Sequence, residues 1–394
     1  MIGWRRSEPK PHASGVEFDL AGGVVTVDLG ALVGNWRALA RLSAPARCAA
    51  VVKADTYGLG IGPVVTALAD AGCEDFFVAM PHEGAETRKA AAAARIFVLS
   101  GRLSPESAHL LREHRLIPVL NSTADIAVWE AEGWLDGAQL PAAIHVDTGM
   151  NRLGLRFDEA VRFAEENSLT RAVHVCMVMS HLACADEPAH AMNVRQRESF
   201  ERVTALFPGI DSSLSSSAGI ALGSGFLHSM TRPGIALYGA APVETLRPHL
   251  TPVVTARARI LQIRVAGAGE GVGYGASQAL GRDSRLAVVG AGYADGLMRS
   301  ASGAGVPIRS QSQEGGFGWV AGRRVPIVGR VSMDLTVFDV TDLPAGAVNE
   351  GDFIELFGKN APIEDFARAA GTIPYEVLTS LGRRYHREYV EGGS

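Results

Sequence analysis

The sequence predicts an α/β protein: an N-terminal (β/α)8 barrel of the TIM type followed by a C-terminal β-rich domain. Two observations carry that expectation. Short apolar runs recur every ~20–30 residues through the first 240 positions, separated by Ala-, Glu- and Arg-rich segments, which is the rhythm of parallel βα units. Near residue 250 the rhythm changes. TARARILQIRV at 255–265 alternates like an antiparallel strand, and further β runs punctuated by Gly and Asp follow it.

The barrel runs are VVTVD at 24–28, AAVVK at 49–53, DFFVA at 75–79, RIFVL at 95–99, IPVL at 117–120, AIHVD at 143–147 and VHVCMVMSH at 173–181. Segments such as 81–94 and 158–167 read as amphipathic helices between them. Several runs end on polar residues: Lys53, Asp147 with Arg152 beyond it, and His181. A doubly wound sheet fits the alternation too, but it places chemistry at one switch point. Polar residues after many strands favour the barrel, whose active face is the C-terminal rim. Residues 1–15 read as a loose arm, 16–250 as the barrel and 251–394 as the β domain. Within the latter, strands are expected at 286–289, 325–328, 335–340 and 353–357, and a hairpin with a long loop at 301–324. Two short helices close the chain: one at 363–370, and one after Pro374 that carries Tyr375, with RRYHR on its surface.

Composition narrows the function. Apolar residues at 47%, charged residues at 20% and a net charge of −5 over 394 residues describe a globular protein with a sizeable core. No Lys/Arg block marks a nucleic-acid footprint, and no apolar run is long enough to cross a membrane. The first fifteen residues, MIGWRRSEPKPHASG, lack the apolar core of a signal peptide, so a cytoplasmic protein is expected. Cys48, Cys73, Cys176 and Cys184 are sparse and show no metal-ligand spacing, which favours reduced thiols and no metal.

The most informative stretch is VVKADTYGLG at 51–60. A buried strand that delivers Lys53 to its tip would lower the proton affinity of the amine and make it nucleophilic enough for a Schiff base. Tyr57 and the glycines beside it suit a phosphate, and a lysine with a phosphate loop suggests pyridoxal 5'-phosphate (PLP). Alone, the stretch also fits a strand-end lysine that reaches solvent beside an ordinary turn. RPGIALYG at 232–239 can turn Arg232 inward while the Gly234 and Ile235 amides face a phosphate, or it is a Pro-Gly loop before a last strand. SLSSSAG at 213–219 offers the Ser217 hydroxyl, and DTGMNRLG at 147–154 offers Arg152 to a carboxylate or phenolate. GEGVGYGAS at 269–277 superficially matches a dinucleotide fingerprint, but it opens no helix and lies in the β domain.

Together VVKADTYGLG, DTGMNRLG, MSHLA, RPGIALYG, GYGAS, GYADG, RVSMD and IPYEVLTSLGRR resemble, in order and spacing over roughly residues 23–390, the motifs of bacterial alanine racemases. The resemblance implies a homodimer with shared active sites, PLP as cofactor, and racemisation of L- and D-alanine by two bases. The product would supply peptidoglycan or be degraded. By resemblance, Lys53 is the Schiff-base lysine and the base on the D-alanine face, while Tyr274 of the other subunit serves the L-alanine face. A phenol is a poor base at neutral pH, so His181, linked onward to Arg232, is the expected helper. Tyr57, Ser217, Gly234, Ile235 and Tyr375 would hold the phosphate, and Arg232 would face the pyridine nitrogen. Arg152 and the Met333 amide would meet the substrate carboxylate, and Tyr293 would narrow the entrance with Tyr375.

Two positions depart from the family pattern. His145 stands where many relatives carry a carbamylated lysine, and Ser216 where they often have Asn. Racemases of this fold for serine or basic amino acids share the motifs, so a broader specificity is the alternative. A non-catalytic PLP carrier would lack the β domain and Tyr274. A related decarboxylase would need a cysteine loop that the β domain does not contain.

Overall fold

The computed structural model describes residues 16–137, 139–170, 172–311 and 314–392. The arm expected over residues 1–15 lies outside them. The described residues through Ala31 belong with those from Pro252 onward in one compact unit, and Leu32–Thr251 form the other.

The Leu32–Thr251 unit is the barrel. After the first strand of the chain, β1 (Gly23–Asp28), come β2 (Arg47–Cys48), β3 (Ala50–Val51), β4 (Asp75–Val78), β5 (Arg95–Val98), β6 (Ile117–Leu120), β7 (Leu140–His145), β8 (Val173–Met179), β9 (Asp211–Ser213) and β10 (Met230–Thr231). Strands β3 to β9 form one parallel sheet in sequence order, and β10 pairs in parallel with β2. Backbone bonds close the ring. The amides of Arg47, Ala49 and Val51 donate to the carbonyls of Ser229, Thr231 and Pro233 at 3.0, 2.9 and 2.9 Å. Those of Ser229 and Arg232 donate to Ser212 and Ser215 at 3.0 and 2.8 Å. With β2 and β3 counted as one interrupted strand, the described residues make eight. Barrel strands are buried on both faces and read as continuous apolar runs, and Phe76, Phe77, Ile96 and Phe97 are fully buried here. Helices Pro81–Ala90, Pro105–Glu113 and Thr123–Asp136 connect successive strands, with Pro or Ser at the starts where it helps most.

One run moves. VVTVD, read with the barrel series, is β1, and it lies in the sheet of the other unit between β11 (Val254–Ala266) and β19 (His386–Val390). It pairs antiparallel with the former and parallel with the latter. The barrel is completed instead by the three-residue β9 and the two-residue β10, too short to announce themselves as apolar runs. The expected boundaries at 16 and 250 shift accordingly, since the compact barrel unit begins at Leu32 and its partner unit includes β1.

In that second unit β12 (Gly271–Val272) pairs with β13 (Gln278–Ala279). Strands β14 (Ser284–Val289), β15 (Phe317–Val320), β16 (Arg323–Pro326), β17 (Thr336–Asp339) and β18 (Phe353–Phe357) make the rest of the sheet. β11 is its spine. Its first half pairs with β1 and β18, and after an irregularity at 260–262 its second half pairs with β14. The hairpin expected over 301–324 with a long loop is instead the tight β15–β16 pair, turning through Ala321 and Gly322 alone, both at positive φ. The stretch read as its loop precedes it and contains the short turn Pro307–Ser310. Helices Ile363–Ala370 and Pro374–Thr379 form as expected, but RRYHR does not coat a helix. Tyr385 and Arg387 are buried, and His386 opens β19, because this segment supplies the sheet with its parallel neighbour to β1.

Across the barrel interior the rings of Phe77 and Phe97 stack at 4.6 Å with 10° between their planes. Phe97→Ala should therefore cost about 3–5 kcal/mol. The measurement is the urea midpoint of the barrel transition, and a loss under about 1 kcal/mol would mean that this pair does not hold the barrel together.

Candidate active site

Lys53 ends the strand that closes the barrel. Val51 donates its amide to Pro233 at 2.9 Å and Val52 donates to Phe77 at 2.8 Å, so the chain is pinned from both sides up to the lysine. The next four residues, Ala54 to Tyr57, all sit near φ +55° and ψ +45°, a turn of left-handed helix without a glycine. Such a turn costs roughly 1–2 kcal/mol per residue, so it must be held from outside. The Glu83 carboxylate accepts from the Ala54 amide at 2.7 Å, the Asp55 carbonyl accepts from Leu59 and Gly60, and Asp55 Oδ1 accepts from Ile61 at 2.9 Å. The turn swings Tyr57 back beneath the lysine. Burial lowers the Lys53 pKa, Arg152 and Arg232 lower it further, and Glu83 acts in the opposite sense.

Beside the lysine lies a polar cradle. Tyr57 is buried, its ring 4.6 Å from that of Tyr238, which donates its hydroxyl to the Val51 carbonyl at 3.0 Å. A Cβ on Gly234 would come within 2.3 Å of the Tyr57 hydroxyl, so glycine is the residue that leaves the two in contact. The Ser217 hydroxyl accepts from the amides of Gly234 at 2.9 Å and Ala236 at 3.3 Å. Ile235, buried between them, begins the short turn Ile235–Tyr238. Two hydroxyls gathered with the Gly234 and Ala236 amides make a polar cradle of the kind that suits a small anion.

Arg232 is 4% exposed and projects into the barrel from just beyond β10. It donates to the Ser213 hydroxyl, to the Ser180 carbonyl at 2.7 Å and more weakly to the Leu214 carbonyl, and its Nη2 lies 3.5 Å from His181 Nδ1. Burial pulls its pKa down, to about 10. His181 is pushed down to about 3, first by burial and then by Arg232, Arg152, Lys53 and His145. His145 follows the same logic. Its Nδ1 is 2.7 Å from Asn121 Oδ1, while the Asn121 amide nitrogen donates to the carbonyls of Leu99 and Val119, which fixes the amide orientation and makes Nδ1 the protonated nitrogen. Burial, Arg232 and Arg152 lower the His145 pKa to about 4. Arg152 is exposed on the loop after β7, shaped by Asp147, whose carboxylate accepts from the amides of Gly149, Met150 and Asn151. Its charge is felt at Lys53, His145 and His181 alike, which places it over the same rim. The barrel thus brings together Lys53, Tyr57, Arg152, His181, Ser217, Arg232, Gly234 and Ile235.

The remaining expected site residues lie in the other unit. Tyr274 is 71% exposed on a short turn flanked by Gly273 and Gly275, both at positive φ. Tyr293 is exposed beside Asp295, a buried carboxylate that receives a bidentate pair from Arg384 at 2.7 Å. The Tyr293 and Ala294 amides donate to the carbonyls of Ser332 and Met333, which sets the exposed Met333 next to Tyr293. Tyr375 lies half-buried on the helix Pro374–Thr379.

Two family models match the chain, the alanine racemase N-terminal domain over residues 27–242 and the alanine racemase C-terminal domain over 253–389. The chain belongs to the alanine racemase family. It is 52% identical over 366 residues, 93% of either chain, to "Alanine racemase, biosynthetic" of Agrobacterium fabrum (strain C58 / ATCC 33970). It is 43% identical over 374 residues to "Alanine racemase, catabolic" of the same organism, covering 95% of this chain and 93% of that one. The crystal structure of alanine racemase from Bartonella henselae with covalently bound pyridoxal phosphate superposes with a TM-score of 0.86 at 38% identity, covering 94% of this chain and all of that one. Against the alanine racemase motifs, sequence reasoning missed Glu83 and Asn121. Glu83 sits third in its helix, where it reads as an ordinary capping glutamate. Asn121 is a loop residue with no local signal.

His145 should be neutral at physiological pH. Its folded pKa lies below the unfolded value, so the unfolded chain takes up a proton there first. Stability should therefore fall as pH drops from about 6.5 towards about 4. NMR titration of the His145 ring in the full-length protein should show no midpoint above about pH 5, and a midpoint near 6.5 would contradict the buried, arginine-flanked setting.

Proposed function

We propose that the chain interconverts L- and D-alanine with PLP as its cofactor. The observation that carries this reading is one strand-end lysine of lowered proton affinity, set beside the cradle of Tyr57, Ser217 and Gly234. The residues fit the group. The amine would join the aldehyde carbon, the cradle with Ile235 and Tyr375 would hold the phosphate, and Arg232 would face the ring nitrogen. When bound, the cofactor supplies an electron-withdrawing ring that acidifies the substrate Cα–H.

What this chain's own residues do follows from their charge. Arg232, a buried guanidinium, would disfavour a second cation beside it and so would hold the ring nitrogen of the cofactor unprotonated, a setting that would favour return of the proton over other outcomes. Lys53 Nζ exchanges the proton on the D-alanine face. Tyr274 of the partner subunit exchanges it on the L-alanine face, with neutral His181 and Arg232 behind it. Arg152 and the Met333 amide orient the carboxylate, and Tyr293 and Tyr375 narrow the entrance to a small side chain. The protein works as a cytoplasmic homodimer with shared active sites, in supply of D-alanine to peptidoglycan or in its breakdown.

Borohydride reduction of the loaded enzyme followed by peptide mapping should leave the pyridoxyl adduct on Lys53. An adduct on another lysine would remove this reading.

The shared site has its own test. Lys53→Ala and Tyr274→Phe are each expected to be inactive. After subunit exchange a mixed dimer has one site with both lesions and one with neither. Random pairing makes about half the dimers mixed, so activity should recover to roughly a quarter of wild type. No recovery after verified exchange would show that both bases come from one chain.

A further inference from the structure

We propose that Glu83 is a positioning residue for Lys53, its carboxylate tying the peptide that follows the lysine to the turn after the neighbouring strand β4. Glu83 is 8% exposed and is the third residue of the helix Pro81–Ala90. From that position a glutamate ordinarily reaches back to the amide that precedes its own helix. Glu83 Oε2 does this, accepting from Met80 at 3.0 Å and from Ala79 at 2.7 Å. Capping needs no more than that one oxygen. Oε1 leaves the helix and accepts from the Ala54 amide at 2.7 Å, in the preceding βα loop.

The Ala54 amide belongs to the peptide plane that begins at the Lys53 carbonyl. Holding it anchors the Lys53 main chain on its C-terminal side, as the Val51 and Val52 amide bonds anchor it on the other, and Ala54 is also the first left-handed residue of the turn. A bond from a carboxylate to this amide is short and about twice as strong as a neutral one. It therefore selects the left-handed route after Lys53 over the right-handed one that Ala54 would otherwise prefer. The carboxylate has a second effect. Arg152 and Arg232 both press the amine towards its neutral form, and His181, neutral itself, feels the lysine charge in turn. Glu83 is the acidic group that opposes them. It keeps the amine able to hold a proton, as a base must between the two halves of its cycle.

This deepens the reading of Lys53 as the reacting amine, yet its test reads the lysine alone. A pyridoxyl adduct elsewhere would remove that reading without touching the Glu83 result. Glu83→Gln keeps one acceptor oxygen for the cap and removes the charge, while its NH2 group, a donor, can no longer accept from the Ala54 amide. Competitive acetylation of Lys53 across pH, in the full-length cofactor-free protein and read by peptide mass spectrometry, gives the midpoint of the amine. In E83Q that midpoint should fall by roughly one pH unit. Glu83→Asp keeps the charge and shortens the reach by one methylene. In E83D hydrogen exchange at the Ala54 amide should speed up at least about tenfold, with the Lys53 midpoint at its wild-type value. A wild-type Lys53 midpoint in E83Q, or wild-type Ala54 exchange in E83D, overturns the proposal. Should E83Q not fold, the E83D exchange decides.

Discussion

Everything in the barrel site depends on burying one amine among cations. Lys53 has Arg152 and Arg232 as electrostatic neighbours, and both work with desolvation to strip its proton. Burial keeps His145 and His181 neutral, and the arginines already there reinforce it by repelling a third and fourth positive charge. The result is a rim of arginines and uncharged imidazoles in which the lysine amine gives up its proton more readily than a free one. A lowered proton affinity of that kind suits a proton carrier.

The scaffold makes this arrangement affordable. The participants sit at or beyond the C-terminal ends of four strands: Lys53 after β3, His145 and Arg152 at and after the end of β7, His181 after β8, Arg232 after β10. A closed parallel barrel points all its strand ends at one rim, so side chains far apart in sequence converge without any one of them being reached by a long loop. In the turn after Lys53 four successive non-glycine residues adopt the left-handed conformation. The carboxylates of Glu83 and Asp55 around the turn keep that strain from relaxing.

The second unit has a different task. Its sheet is organised on β11, and it leaves Tyr274, Tyr293 and Met333 exposed on short turns braced from behind. The brace of Tyr293 is explicit: Asp295 is buried, caps its own turn through the Gly292 amide and is gripped by Arg384, which also reaches Asp334 beside Met333.

Much of this was legible in the sequence because it is local. The βα rhythm is written in runs of four to seven apolar residues that any barrel strand needs, and the lysine, the tyrosine and the Pro-Gly turn of the cradle lie within short motifs. Those features determined the fold class, the two-domain plan and the candidate residues. The tertiary structure decided what depends on pairing across long separations. The run at β1 looks like its neighbours in the barrel series, and only the bonds it makes to residues 254–258 and 386–390 assign it to the other sheet. Ala54, Asp55 and Thr56 carry no glycine signal for a left-handed turn. The conformation is imposed by partners such as Glu83, 29 positions away from Ala54. The neutral state of His145 likewise rests on burial and on Arg232 and Arg152, the former 87 positions away from it. Periodicity and turn chemistry act between near neighbours and can be read from a string, whereas burial, charge and strand register are sums over whatever the folded chain brings close.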